Sequence, residues 1–593
     1  MPTGPAPRID RVTASGSILF LIPARGGSRR VPGKNLRLVG GIPLVGQAIR
    51  IGLATARAIG GGPHRVVCST DDRTIAASAA VWGAEVLDRP AELATHEATS
   101  VDVGLHALDA LEARHGPFEV LALLQPTSPL TDPADVAAAI ERHRLAGGAS
   151  VTSVVENHPS SFRFGMALDG TLQPAGDDSG AAPVRLAGAF YVIAPGRLRA
   201  TKRFVEPGST VGLTVPPARA IDVDEEVDLL VAEAILAARP VRPVQLGRVE
   251  IGHGRRFVIA EAGVNHNGDP ELARRLVDAA AASGADAVKF QTFDPAALAA
   301  GGAPTAAYQR AAGVAADDQR QMLAGLVLPR NTWAELQARA TSLGLAFLST
   351  PFDDGSADVL DALGVPAFKV GSGELTNTPF IARLARRGRP LLVSTGMADI
   401  VEVAAAVDAV RASGDPPLAL FHCVSTYPAV AADANLRAIE TMRLAFGVPV
   451  GWSDHTTGID VPVAAVAAGA SMIEKHLTLD RTMQGPDHRA SLEPDAFTEM
   501  VAAIRRTEAA LGTGVKAPAT SERDVAAVAR RSLFWRVTRP AGHVVTEADL
   551  DVLRPANGMP PSRLAAMLGV RTSRAVEAGT LVAPGDVERE AGG

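Results

Sequence analysis

Cysteine is nearly missing from this 593-residue chain: only Cys68 and Cys423 occur, each at the end of an apolar run that reads as a buried strand. Two such residues cannot build a disulfide framework, and a reducing compartment suits them. Extended apolar stretches are missing as well. Ile18 to Pro23 is too brief for the hydrophobic part of a secretory signal and is soon broken by Arg25-Gly26-Gly27. The longest stretch, around Val461 to Ile473, is Ala-rich and falls short of the ~18 residues needed to span a bilayer. Nor is there a bulk field: 58 Lys and Arg against 64 Asp and Glu leave a net charge of −6. Nucleic-acid and membrane partners are therefore not expected, and a cytoplasmic location is.

What is present is ordinary globular composition, 47% hydrophobic and 21% charged, at a length beyond one hydrophobic core. Pro/Gly-rich breaks divide it into a disordered tail (1–16), a first domain (17–236), a linker (237–256), a second domain (257–511), a linker (512–530) and a small C-terminal part (531–593). In the first domain, runs such as ILFLI, RVVCS, VLALLQ and ASVTSVV alternate with Ala-rich helical stretches, the pattern of a doubly wound α/β domain on a parallel sheet. The second domain holds eight strand candidates, nearly all separated by helical stretches, which predicts a (β/α)8 TIM barrel. These strands end in Glu261, Lys289, Thr350, Lys369 with Glu374, Ser394, His422, His455 and His476, where such a barrel carries its chemistry. The tail is predicted to be small and β-rich.

After the first strand, IPARGGSRRVPGKN exposes backbone N–H groups at Gly26, Gly27 and Ser28 beside Arg25, Arg29, Arg30 and Lys34. A solvated basic turn would account for one or two of these cations; four beside two glycines point to a cradle for a polyphosphate. The spacing is that of neither a Walker A loop nor a dinucleotide GxGxxG motif. In Ile221-Asp222-Val223-Asp224, alternation along an extended segment directs both carboxylates to one side, where they can share a hard cation such as Mg2+. The following Glu225, Glu226 and Asp228 read as an acidic helix start.

Together with STDD (69–72), RPAEL (89–93) and LLQPTSPL (123–130), these motifs resemble the CMP-sialic acid synthetases, cytidylyltransferases that join CTP to a nonulosonic acid. The resemblance implies a nucleotidyltransferase fold in which Arg25 and Lys34 hold the triphosphate and Asn35, Arg89 and Ser100 read the cytidine. It implies further that Gln125 faces the acceptor sugar and that Asp222 and Asp224 carry Mg2+. Two departures concern the acceptor: Ala187-Gly188-Ala189 replaces the usual Asn-Gly-Ala, and DDSGAAP replaces an Arg/Gln-rich stretch, with Arg163 or Arg185 as substitutes.

In the second domain, His455 and His476 end consecutive strand candidates and would be neighbours at the barrel mouth, able to share a divalent ion. His422 reads as a satisfied core histidine. Lys289 and Lys369, each on an otherwise apolar strand, are costly to bury unpaired and make sense as phosphate ligands. The ordered motifs EAGVNHNGD, VKFQT, STPF, KVGSGE, STGM, HCVSTYP, SDHT, EKHLT and GPDHRAS resemble the sialic acid synthases, which condense phosphoenolpyruvate with an N-acylated amino sugar such as N-acetylmannosamine. The tail resembles their antifreeze-like (SAF) domain. The resemblance implies that Lys289, Thr350, Lys369, Ser372 and Ser394 bind phosphoenolpyruvate and that Glu374, Tyr427, Ser453 and Asp487 contact the sugar. It also implies that His455 and His476 hold Mn2+ or a similar ion, and that Arg554 reaches the partner's site in a homodimer. Ser425 stands where relatives often have Asn. Glu261, ending the first strand, is the candidate for stabilising the cationic carbon and positioning water.

The expectation is a bifunctional enzyme for two consecutive steps. A second reading keeps the chemistry and changes the sugar to a legionaminate or pseudaminate type. A third makes one half a noncatalytic binding or dimerisation module.

Overall fold

Short β-branched runs buried on both faces pair side by side in the first domain. A computed structural model describes residues 16–156, 164–167, 169–174, 182–247, 249–252, 254–305 and 318–588. It places β1 (Ile18–Pro23), β2 (Arg65–Thr70), β3 (Glu85–Asp88), β4 (Val120–Leu124), β5 (Val151–Glu156), β6 (Ala182–Ile193) and β7 (Val211–Thr214) in one sheet, ordered β7-β5-β6-β4-β1-β2-β3. The sheet is not wholly parallel: β6 runs antiparallel to both β4 and β5. The short strands Phe164–Met166 and Leu172–Pro174 form an antiparallel ribbon against β6, and a chain that returns through such a ribbon has no crossover helix to keep it parallel.

The Pro/Gly-rich stretch after this domain is structured. Val244–Leu246 (β8) and Val249–Ile251 (β9) form an antiparallel hairpin. Eight parallel strands then close into a barrel in chain order: β10 (Phe257–Gly263), β11 (Ala287–Thr292), β12 (Ala346–Pro351), β13 (Phe368–Val370), β14 (Leu391–Ser394), β15 (Leu418–Cys423), β16 (Val450–Asp454) and β17 (Met472–His476).

Side chains two apart on a strand share a face, and this parity builds the barrel interior in layers. Ile259, Ala287, Leu348, Ala367, Leu392, Phe421 and Met472 cluster with Val244, Leu246 and Ile251 of the hairpin, which packs under the barrel as an apolar floor. Two positions further along the same faces come Glu261, Lys289, Thr350, Lys369, Ser394, Cys423 and Glu474. The polar layer thus rests on an apolar one.

Among the described residues, those up to Ala510 form one compact unit in which the first domain packs on the barrel's outer helices. Helix α1 (Leu44–Ile59) lies against α2 (Ile400–Ala412), and α3 (Ala438–Phe446) packs against the helix Glu226–Ala238. At this contact Arg50 pairs with Asp408 at 3.2 Å, with side-chain exposures of only 11% and 12%, and its guanidinium lies 5.4 Å from the Phe446 ring centre. Arg57 reaches the same carboxylate at 3.6 Å.

The second unit begins at Leu511. Its strands Ser532–Trp535 and Leu550–Leu553 pair antiparallel over a small core around Trp535, Val545 and Val582. Arg554 is exposed there. Among the described residues no helix is long and apolar enough to cross a membrane.

Candidate active sites

In the first domain the loop leaving β1 is held down by the STDD motif. Gly26 N donates to Asp71 Oδ1 at 3.1 Å, and a Cβ at Gly26 would meet Asp72 Oδ2 at 2.9 Å, so this close approach requires glycine. Asp72 in turn caps the helix Arg73–Val81. Asn35 is buried and donates to Arg25 O at 2.9 Å, while Arg25 Nη1 donates to Thr95 O at 2.5 Å. Arg89 donates to Ser69 O at 2.5 Å, and Gln125 Nε2 lies 3.4 Å from Ser100 Oγ. Arg25, Lys34, Asn35, Arg89, Ser100 and Gln125 all line one cavity of ≈ 250 Å³.

The acidic segment borders this cavity through Thr127, which lines it and whose carbonyl accepts from Val223 N at 2.7 Å. Lys34 Nζ donates to Val223 O at 2.9 Å and to Asp224 Oδ1 at 3.0 Å, and Arg30 reaches Asp224 at 3.3 Å. Asp222 is exposed at its surface, and partial desolvation by the cavity wall, with Asp224 nearby, raises its carboxyl pKa. Two neighbouring carboxylates beside a cationic cavity suit Mg2+, which takes one or two protein oxygens and completes its shell from phosphates and water. The segment Ala187-Gly188-Ala189 abuts the same wall: Ala189 O accepts from Gln125 N at 3.0 Å. Arg185 is exposed on β6; Arg163 lies outside the described residues.

In the barrel, two buried lysines face two buried glutamates. Lys289 Nζ sits 2.6 Å from Glu261 Oε2 and 3.8 Å from Glu474 Oε2, and donates to Thr350 Oγ1 at 3.2 Å. Lys369 Nζ donates to Ser394 Oγ at 2.8 Å and Glu474 Oε1 at 3.0 Å, over the Phe421 ring. Ser453 Oγ also donates to Glu474 Oε1, at 2.9 Å. Two ammonium groups thus face two carboxyl groups, so that each buried charge has a partner of opposite sign within reach. Burial pushes Glu261 up to about 7, a shift that Lys289 only partly offsets. Burial also acts on Glu474, but Lys289 and Lys369 outweigh it and hold the carboxyl at about 2.

Above this layer the His455 and His476 ring centres are 5.5 Å apart, with the Tyr427 ring 4.2 Å from His455. His455 Nδ1 faces Val424 O at 2.8 Å, which makes it the protonated nitrogen and leaves Nε2 with its lone pair. Burial lowers both imidazole pKa values, His476 furthest, so both rings stay neutral. Neutral imidazoles with one tautomer fixed from behind suit a divalent ion. Among the described residues no group of three or more His, Cys, Asp or Glu side chains is arranged so that it could hold a metal ion. Asp487 Oδ2 lies 3.9 Å from His476 Nδ1, and burial raises its carboxyl to about 6.

Ser372 Oγ lies 3.1 Å from Cys423 Sγ and accepts from Gly396 N at 3.0 Å. Glu374 accepts from Asn377 at the mouth. His422 is bound to Ala434 O at 2.9 Å and packs on Trp452, a core histidine. Glu474 and Gln291, which donates to Glu261 Oε1 at 3.2 Å, were not among the candidates read from the sequence. Both stand two positions from a candidate on the same strand, Glu474 before His476 and Gln291 after Lys289, so strand parity was the available signal. Arg554 belongs to the second unit.

Comparison with known proteins agrees with this division. The NeuB family model matches residues 276–516, the cytidylyltransferase model residues 19–162 and the SAF domain model residues 530–588. The chain is 45% identical over 328 residues to an N,N'-diacetyllegionaminic acid synthase of Legionella pneumophila, covering 55% of this chain and 92% of that protein. It is 41% identical over 317 residues to that of Campylobacter jejuni, covering 53% and 95%. To the N-acetylneuraminate-9-phosphate synthase of Mus musculus it is 34% identical over 340 residues, covering 56% and 92%. The chain belongs to the NeuB family, with a cytidylyltransferase domain ahead of its barrel and a SAF domain behind it.

Proposed function

We propose that the barrel condenses phosphoenolpyruvate with an N-acylated amino sugar to a nine-carbon keto acid, and that the first domain transfers CMP from CTP to that acid. The observation that carries this reading is the buried group of two lysines and two carboxyls, Glu261, Lys289, Lys369 and Glu474, beneath two neutral imidazoles. Such a pair of lysines, with Thr350 and Ser394 hydroxyls in contact, suits a phosphate ester, and Ser372 joins them. Higher identity to two N,N'-diacetyllegionaminic acid synthases than to the N-acetylneuraminate-9-phosphate synthase favours a six-carbon sugar with two acetamido groups over N-acetylmannosamine.

His455 and His476 would hold Mn2+ or a similar ion, which when bound acts as a Lewis acid on the sugar's aldehyde oxygen. Glu374, Tyr427, Ser453 and Asp487 orient the sugar. As C3 of phosphoenolpyruvate bonds to C1 of the aldehyde, positive charge develops at C2. The Glu261 carboxylate stabilises that charge and takes a proton from the water adding there, the aldehyde oxygen takes up a proton to become a hydroxyl, and the new C2 hydroxyl gives up its proton as phosphate leaves by C–O cleavage to form the keto group. A pKa near 7 lets Glu261 exchange that proton at neutral pH. In the first domain Arg25 and Lys34 hold the triphosphate, Asn35, Arg89 and Ser100 bind the cytidine, and Gln125 faces the acid. Asp222 and Asp224 would hold Mg2+. The anomeric hydroxyl attacks the α-phosphorus and pyrophosphate leaves. By the same reading Arg554 serves the partner's barrel in a homodimer, which sedimentation of the full chain as a monomer would refute.

The test is mass spectrometry of the product formed from phosphoenolpyruvate, CTP, Mg2+ and Mn2+ with N-acetylmannosamine or its bis-acetamido counterpart. A CMP-linked nine-carbon acid supports both steps and identifies the sugar. Free keto acid alone would restrict catalysis to the barrel, and the absence of any product with either sugar would overturn the reading.

A further inference from the structure

We propose that Asn265 is a positioning residue that fixes Asp487 relative to His476, an inference that rests on the barrel reading above. Asn265 lies in the turn directly after β10 and is 2% exposed. Its Nδ2 donates twice: to Leu477 O at 2.9 Å, the residue following His476, and to Ser491 Oγ at 2.9 Å. Ser491 Oγ then donates to Asp487 O at 2.7 Å. Leu477 N donates to Glu261 O at 2.8 Å, so one carboxamide joins the backbone at Glu261 and His476 to the turn that carries Asp487.

The joint matters because His476 Nδ1 and Asp487 Oδ2 are 3.9 Å apart, beyond a direct hydrogen bond. Their spacing is therefore set by the frame behind them. Backbone bonds between His476, Thr478 and Leu492 pin the two ends of the intervening loop; Asn267 in the turn after β10 holds the loop at Gln484 O (2.9 Å) and His488 (3.3 Å), and Asn265 ties the stretch from Asp487 to Ser491 to the same turn. Its Oδ1 is buried without a partner among the described residues, a cost that a merely space-filling apolar residue would avoid.

Asn265→Ala and Ser491→Ala in the full chain separate the two arms. Asn265→Ala cuts both, and should weaken Mn2+ binding measured by calorimetry about tenfold, as loss of an orienting partner does. It should raise KM for the amino sugar by a similar factor while KM for phosphoenolpyruvate and cytidylyl transfer stay unchanged, because the lysine layer has no bond to Asn265. Ser491→Ala cuts only the arm to Asp487, and should raise the sugar KM with Mn2+ affinity unchanged. Wild-type values in a folded Asn265→Ala, or an equal rise in both KM values, would overturn the assignment. If Asn265→Ala does not fold, an unchanged sugar KM in Ser491→Ala overturns it. A wild-type protein that makes no keto acid refutes the barrel reading instead, and the Mn2+ comparison, which needs no turnover, then decides the role of Asn265.

Discussion

Glu261 Oε2 lies 2.6 Å from Lys289 Nζ, both side chains are buried, and that burial raises the carboxyl pKa to about 7 against the pull of the lysine. A raised carboxyl of this kind can give and take a proton at working pH, with Lys289 facing it when it is ionised. Glu261→Gln keeps the shape and removes the exchange. The expected outcome is a fall of at least ~100-fold in phosphate release from phosphoenolpyruvate, with CMP transfer to a supplied nonulosonic acid unchanged. Unchanged phosphate release would remove Glu261 from the chemistry.

The same carboxyl links folding to pH. Its pKa rises from an ordinary 4.5 to about 7 on folding, so between these values the folded protein keeps a proton that the unfolded chain has released. Stability supplied by that proton is present below pH 4.5 and lost as pH rises through about 7. Thermal midpoints of the wild type should fall more steeply across this window than those of Glu261→Gln. Parallel slopes would mean that Glu261 titrates normally.

Glu474 answers both lysines, at 3.0 Å from Lys369 and 3.8 Å from Lys289. Glu474→Gln leaves two buried ammonium groups opposite one carboxylate and should cost about 3 kcal/mol. Chemical denaturation of the full chain measures this. A loss below ~1 kcal/mol would show that the lysines find other partners.

Asp408 holds Arg50 across the contact between the first domain and the barrel. Asp408→Ala strands a guanidinium that is 11% exposed, again at about 3 kcal/mol. In calorimetry the loss should appear at the domain contact, with the first domain melting ahead of the barrel. A single unchanged transition would place the coupling elsewhere, in the packing of Leu236 and Leu444.

The eight barrel strands could be read because each is a short apolar run ending in a polar residue, and the residues lining the first-domain cavity could be read because Arg25, Lys34 and Asn35 share one loop while the motifs RPAEL and LLQPTSPL carry Arg89 and Gln125. Glu474 was harder. The EKH triplet draws attention to its histidine, although parity places Glu474 on the inner face with His476 and turns Lys475 outward to a buried partner in Asp454. The reversal of β6 depends on a ribbon of weak strand signal. The Arg50–Asp408 contact joins positions 358 apart and leaves no local trace. The hairpin of β8 and β9 sits in a Pro/Gly-rich stretch, where composition reads as a connector and only the packing of Val244, Leu246 and Ile251 gives it a role.

That hairpin makes the barrel a blind well. With the bottom plugged, and on the function proposed above, a phosphate ester at Lys289 and Lys369 would have to arrive before a sugar seated at the histidines, and the two products would share one doorway on the way out. Order of arrival and departure is thereby imposed by plumbing, and two-substrate kinetics should follow a queue rather than a free-for-all.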